Sequence, residues 1–291
     1  MAKTRTGQFP IGFRSLGRGW QLSAGDAIAF ALANGFECID VRTGAADELA
    51  RIADGGLNVG TVDLVHWPEL ASSDAGERKA AAQENVDLVR GAVSRGVKNF
   101  FAVAIPKDTG AKRSDNFSRV VDGYGQLCEA IAPLGAHVVL EGWPGPNNSV
   151  IGCTPADYRA LLAEIPRGLG INFDPSHLIR MGIDPVRFLD EFAANVFHVH
   201  GKDTEILVDE LYEHGNLQSA TFVTQHGFGG SSWRYTIPGH GHGRWGKMLS
   251  QLAAAGYKGF VSIELEDEEF NGSEAGEKQG FIAGRSFLEY A

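Results

Sequence analysis

One pattern narrows the folds open to this chain more than any other. Short β-branched apolar runs alternate with longer amphipathic segments from one end of the sequence to the other, as expected of βα units around a parallel sheet. The strand candidates are 10–16, 36–42, 57–65, 99–104, 137–141, 170–173, 196–200 and 260–265. Between them the spacing predicts helices over 23–34, 77–95, 116–134, 155–165, 185–194, 244–255 and 279–290. Gly35, Gly96 and Gly135 stand where three of these must stop, and Thr154 before Pro155 is an N-cap followed by proline at the first helical position. No linker-like composition divides residues 1–291, so one domain is expected. Eight such units close most naturally into an α/β (β/α)8 barrel. An open doubly wound sheet would carry a glycine-rich phosphate loop after its first strand, and Gly17-Arg18-Gly19-Trp20 lacks that form.

The charge is −10, from 26 Lys+Arg against 36 Asp+Glu, which argues against a protein that binds nucleic acid by neutralising phosphates. Cys38, Cys128 and Cys153 are an odd, sparse set without Cys-x-x-Cys spacing, so a reducing compartment fits better than a disulfide scaffold. The N-terminal MAKTRTGQFP has no apolar run behind it, and no stretch approaches the roughly 18 uncharged apolar residues of a membrane span. The expectation is a cytoplasmic protein with no membrane partner.

The later strands place ionisable groups in one phase and apolar groups in the other. Ile171 and Phe173 alternate with Asn172 and Asp174, Phe197 and Val199 with His198 and His200, and Val261, Ile263 and Leu265 with Ser262, Glu264 and Glu266. Successive strand residues face opposite sides of a sheet, so the polar phase points into the barrel. Glu141, Asp174, His200 and Glu264 sit at the C-terminal strand ends, the face where such barrels place their chemistry. Three carboxylates and an imidazole meeting there repel unless a cation joins them or protons are taken up. One divalent metal ion is the economical explanation. The donor types suit Mn²⁺ first, with Mg²⁺ or Co²⁺ next and Zn²⁺ also accepted.

The segments VVLEGWPG, NFDPSH, VFHVHGKDTE, WRYTIPGHGHGRW and GYKGFVSIELED resemble the xylose isomerase-like TIM barrel superfamily, the group of sugar phosphate isomerases/epimerases, ketose 3-epimerases, inosose dehydratases and endonuclease IV. ECIDVR and DLVHW match it loosely. The resemblance implies that Glu141, Asp174, His200 and Glu264 ligate the metal, that Glu141 and Glu264 are the acid/base pair, and that His177 contacts a substrate oxygen. The ketose 3-epimerases carry a second Glu where this chain has Asn147 and an Arg where it has Ile206, so their grip on substrate does not transfer.

Such a site performs proton transfer through a metal-stabilised enediolate. The function expected is a divalent-metal-dependent sugar isomerase or epimerase acting on a small ketose, keto-sugar or cyclitol. A dehydratase or β-eliminase acting on a keto-sugar, 3-oxo-glycoside or inosose with the same metal and glutamates is the alternative, ahead of a non-catalytic sugar-binding subunit. Lys202 is read as steadying a developing oxyanion or as pairing with Asp203. His66 and Trp67 are read as a sugar-facing wall, and His198 as a hydrogen-bonded residue of the layer beneath. Residues 204–242 are too long for an ordinary connection and read as a lid, from which Arg234 and His240 would contact substrate. The acidic run after Glu264 reads as solvated rim. Barrels of this family often pair, so a homo-oligomer is open to this chain, although its sequence does not fix the oligomeric state.

Overall fold

Ten strands and ten α-helices make up the computed structural model, which describes residues 2–219 and 221–291. Eight of the strands are parallel and close on themselves: β1 (Ile11–Arg14), β2 (Cys38–Val41), β3 (Asn58–Asp63), β4 (Asn99–Ala102), β5 (His137–Glu141), β6 (Leu169–Phe173), β7 (Val196–Gly201) and β10 (Val261–Ile263). Each is hydrogen-bonded to its neighbours in chain order, and β10 closes the ring against β1 through Gly12 opposite Ser262. The architecture is the (β/α)8 barrel expected from the eight-fold pattern.

The helices form where capping and amphipathicity coincide. They are α1 (Ala24–Ala33), α2 (Ala46–Asp54), α3 (Ala75–Val93), α4 (Arg113–Ile131), α5 (Pro155–Glu164), α6 (Pro175–Arg180), α7 (Pro185–Phe192), α8 (Val208–His214), α9 (Trp245–Ala254) and α10 (Glu274–Tyr290). Thr154 accepts from the Asp157 N–H and Pro155 opens α5, as its sequence predicts. Gly96 and Gly135 adopt φ of 89° and 68° after α3 and the turn that follows α4, conformations a side chain resists. The last helix begins at Glu274, capped by Ser273, rather than at 279, and three helices lie outside those the spacing predicts: α2, whose buried apolar residues reduce to Leu49 and Ile52, and the short α6 and α8.

The apolar phase of each strand lies under the helices. Phe13 of β1 packs on Phe30, Phe36 and Phe281, its ring centroid 4.9 Å from that of Phe281. Inside the barrel Phe101, Val139 and Asn172 are buried together with charged groups, of which Glu141, Asp174 and Glu264 stand at the C-terminal strand ends and Asp40 pairs with His198. The long connection after β7 is more ordered than a simple lid loop. Its ends pair as an antiparallel hairpin, β8 (Asp203–Ile206) with β9 (Trp233–Thr236), Glu205 opposite Arg234.

Candidate metal centre

The upper mouth is built from strand ends. Glu141 ends β5, His200 lies in β7, and Glu264 follows β10, its N–H bonded to Gly201 O. Asp174 follows β6 and caps α6: Oδ1 accepts from the Ser176 N–H at 2.8 Å, and the buried Oδ2 lies 3.3 Å from both His177 Nε2 and Lys202 Nζ. One donor atom from each of Glu141, Asp174, His200 and Glu264 lies within 4.8 Å of the others, and none of the four is more than 7% exposed. Three oxygens and one imidazole nitrogen, all buried, fit a divalent cation with oxygen-rich ligation.

Each carboxylate is held from outside the ring. Asn172 donates to Glu141 Oε2 at 2.7 Å, and His200 Nδ1 lies 2.7 Å from the same atom and 3.5 Å from Glu264 Oε2. Glu264 meets Lys202 Nζ at 2.5 Å and Arg14 Nε at 3.1 Å. Arg14 is gripped bidentately by Asp63 at 2.8 and 3.0 Å and lies over the Phe101 ring. Burial pushes the Glu264 carboxyl up, but Lys202, His200 and Arg14 outweigh it and hold the group well below the ordinary carboxylate range. Burial likewise pushes Glu141 up, and Glu264's charge adds to that, yet His200 and His177 leave it low. Glu141 and Glu264 are thus held ionised although both are almost fully buried.

His177 on α6 connects the ring to the insertion. Its Nε2 lies 3.2 Å from Glu141 Oε1 and 3.3 Å from Asp174 Oδ2, and its Nδ1 lies 2.8 Å from the Tyr235 hydroxyl. Arg180 can only donate, and does so to the same hydroxyl at 2.8 Å. The Tyr235 hydroxyl thus bridges Arg180 and His177 Nδ1, and the Nε2 of His177 faces the carboxylates.

The structure brings Glu141, Asp174, His200, Glu264, His177 and Lys202 together. Lys202 does not pair with Asp203: it reaches Asp174, Glu264 and Glu266 instead, while Asp203 accepts from the Gly243 N–H and Trp245 Nε1. Trp67 stands one ring away, its centroid 5.6 Å from Phe101, which in turn lies 5.3 Å from His200. The other residues expected to contact substrate lie apart from the ring. His66, at φ 57°, turns outward to Glu84; Arg234 is committed to Glu205 and Glu269; His240 is exposed beside Phe270. The acidic run after Glu264 is not the solvated rim expected. Glu266 binds Lys202, Asp267 accepts from the Ile237 N–H, Glu268 binds His226 and the Gly227 N–H, and Glu269 binds Arg234, so the run holds the insertion down. Arg14, Asp63 and Tyr235 were missed. Arg14 was detectable, since it shares the inward phase of β1 with Gly12.

A family model described as xylose isomerase-like TIM barrel matches residues 28–290, and the chain belongs to that family. Over 173 residues it is 24% identical to an inosose dehydratase of Bacillus cereus (strain AH820), covering 59% of this chain and 54% of that protein, so the match spans about half the relative's length. Among solved structures it resembles 3-keto-D-glucoside 4-epimerase, YcjR, from E. coli, with a TM-score of 0.68 at 17% identity over 96% of this chain and 98% of that one. The IOLI protein with a bound zinc atom superposes with a TM-score of 0.71 at 19% identity, covering 96% and 98%. At such identities the likeness to solved structures concerns the fold.

Proposed function

We propose that the protein is a divalent-metal-dependent sugar isomerase or epimerase whose metal is held by Glu141, Asp174, His200 and Glu264. The observation that carries the reading is the four-donor ring of Glu141, Asp174, His200 and Glu264 at the C-terminal end of the barrel. A bound cation would act there as a Lewis acid, drawing charge from a substrate carbonyl and its neighbouring hydroxyl and so acidifying the adjacent C–H. Glu264 and Glu141 are the two bases, one taking the carbon-bound proton and the other returning it. Arg14 and Lys202 fix the Glu264 carboxylate, and Asn172 and His177 fix that of Glu141. His177 Nε2 and the Lys202 ammonium are placed to donate to substrate oxygens, and the insertion carrying Tyr235 shuts water out. Mn²⁺ is the ion this donor set favours.

A second reading, a dehydratase, is favoured by the named inosose dehydratase relative. It uses the same proton abstraction followed by loss of a β-hydroxyl.

The test is incubation of the Mn²⁺-loaded protein in D₂O with an inosose, a ketose and a 3-keto-D-glucoside, read by mass spectrometry. Deuterium uptake without loss of water supports the isomerase or epimerase, and loss of one water the dehydratase. Glu264→Gln keeps the size and removes the base, so exchange should fall by at least about 100-fold while the fold survives. Unchanged exchange in that variant removes Glu264 from the base role.

A further inference from the structure

Beneath the donor ring lies a second, fully buried group that shares only His200 with it: Asp40 of β2, with His198 and His200 of β7 across the barrel. Asp40 Oδ2 lies 2.8 Å from His198 Nε2 and 3.6 Å from His200 Nε2, and Oδ1 accepts from the Thr61 N–H at 3.1 Å. His200 Nε2 has no hydrogen-bond partner, Asp40 Oδ2 standing just beyond hydrogen-bond distance of it, while Nδ1 of the same ring points at Glu141 and Glu264. Room for the carboxylate comes from Gly60, where a Cβ would sit 2.1 Å from Asp40 Oδ1 and 3.0 Å from His198 Cε1.

A neutral imidazole has one N–H and one lone pair, and a carboxylate can only accept. His200 faces a carboxylate from each nitrogen, Asp40 from Nε2 and Glu141 from Nδ1, but only Nδ1 points into the donor ring; a cation bound there would take the Nδ1 lone pair and leave the proton on Nε2, toward Asp40. We infer that Asp40 is a positioning residue that turns His200 so that Nδ1, and not Nε2, is presented to the divalent cation. Asp40 is itself held in place by the Thr61 amide and by His198, and the missing side chain at Gly60 lets it approach. The inference rests on the cation site proposed above.

The probe is Co²⁺, whose visible bands report its ligand field, titrated into the full-length protein and into Asp40→Asn. Wild type is expected to bind Co²⁺, and the variant to bind it about 10- to 100-fold more weakly with displaced bands; loss of packing alone would lower the melting temperature without displacing the bands. Binding within about twofold of wild type with an identical spectrum overturns the role of Asp40. Failure of the wild type to bind Co²⁺ or Mn²⁺ overturns the proposed cation site instead. Should Asp40→Asn not fold by circular dichroism, the ¹⁵N-histidine spectrum of the zinc-loaded wild type decides. A slowly exchanging proton on His200 Nε2 supports the inference, and a proton on Nδ1, or an Nε2 proton in rapid exchange with water, overturns it.

Discussion

A lysine only 2% exposed keeps its charge because of what surrounds it. Burial lowers the Lys202 pKa, but Asp174, Glu264, Glu266 and Glu141 raise it well above the usual ammonium value. Removing one partner of a buried ion pair leaves the others uncompensated, at about 3–5 kcal/mol. Lys202→Met should therefore lose about that much stability in the metal-free protein, measured by urea unfolding. A raised folded pKa stabilises fully below the unfolded value of about 10.4 and fades as pH climbs through the folded one. The gap between wild type and variant should accordingly stay constant from about pH 7 to 9 and narrow above about 10.5; a gap that widens there contradicts the assignment. Glu141, Asp174, His200 and Glu264 were legible in the sequence because strand phase and strand-end position are both encoded locally. Tyr235 was not, since nothing within its own segment says that a residue 58 positions after His177 will meet its ring nitrogen.

Among the elements, the barrel strands and most of its helices could be read from period and caps, whereas the insertion could not. Its order comes from partners remote in sequence. Thr204 Oγ1 donates to Ser176 O, Tyr235 meets Arg180 and His177, and Trp233 lies beneath the Arg180 guanidinium at 4.4 Å. Opposite these, the strip Glu266–Glu269 grips the other edge. The Lys-Asp-Thr-Glu stretch reads as a loop until Thr204 is seen paired with Tyr235. With a hydrogen bond contributing about 1 kcal/mol net and an unsatisfied buried partner costing about 1–3, Tyr235→Phe should loosen the insertion by about 1–3 kcal/mol. Cleavage by a protease within residues 207–232 should then speed up roughly tenfold or more, with the barrel's global unfolding midpoint little changed. An unaltered cleavage rate would show that Tyr235 does not fasten the insertion.

Taken whole, the molecule concentrates negative charge in its most enclosed region. Asp40, Asp63, Glu141, Asp174 and Glu264 are all buried around the mouth and face Arg14 and Lys202 as permanent cations, in a chain already at −10. Closing a barrel around such a cluster is costly unless further positive charge enters it. The fold tolerates the arrangement because the large apolar layer between strands and helices carries the stability, leaving the mouth to be shaped by chemistry. A ligand that binds only the folded chain stabilises it by RT ln(1 + [L]/Kd), about 2.7 kcal/mol at 100 times Kd. For a chain of this size that is an upward shift in melting temperature of about 5 °C or more. Mn²⁺ should produce this shift by differential scanning fluorimetry, EDTA should reverse it, and Glu141→Gln combined with Asp174→Asn should abolish it. Those substitutions also take partners from His177, His200 and Lys202, so the metal-free double variant should melt below metal-free wild type. A wild-type melting curve indifferent to Mn²⁺, Mg²⁺, Co²⁺ and Zn²⁺ alike would leave the buried charge without its cation.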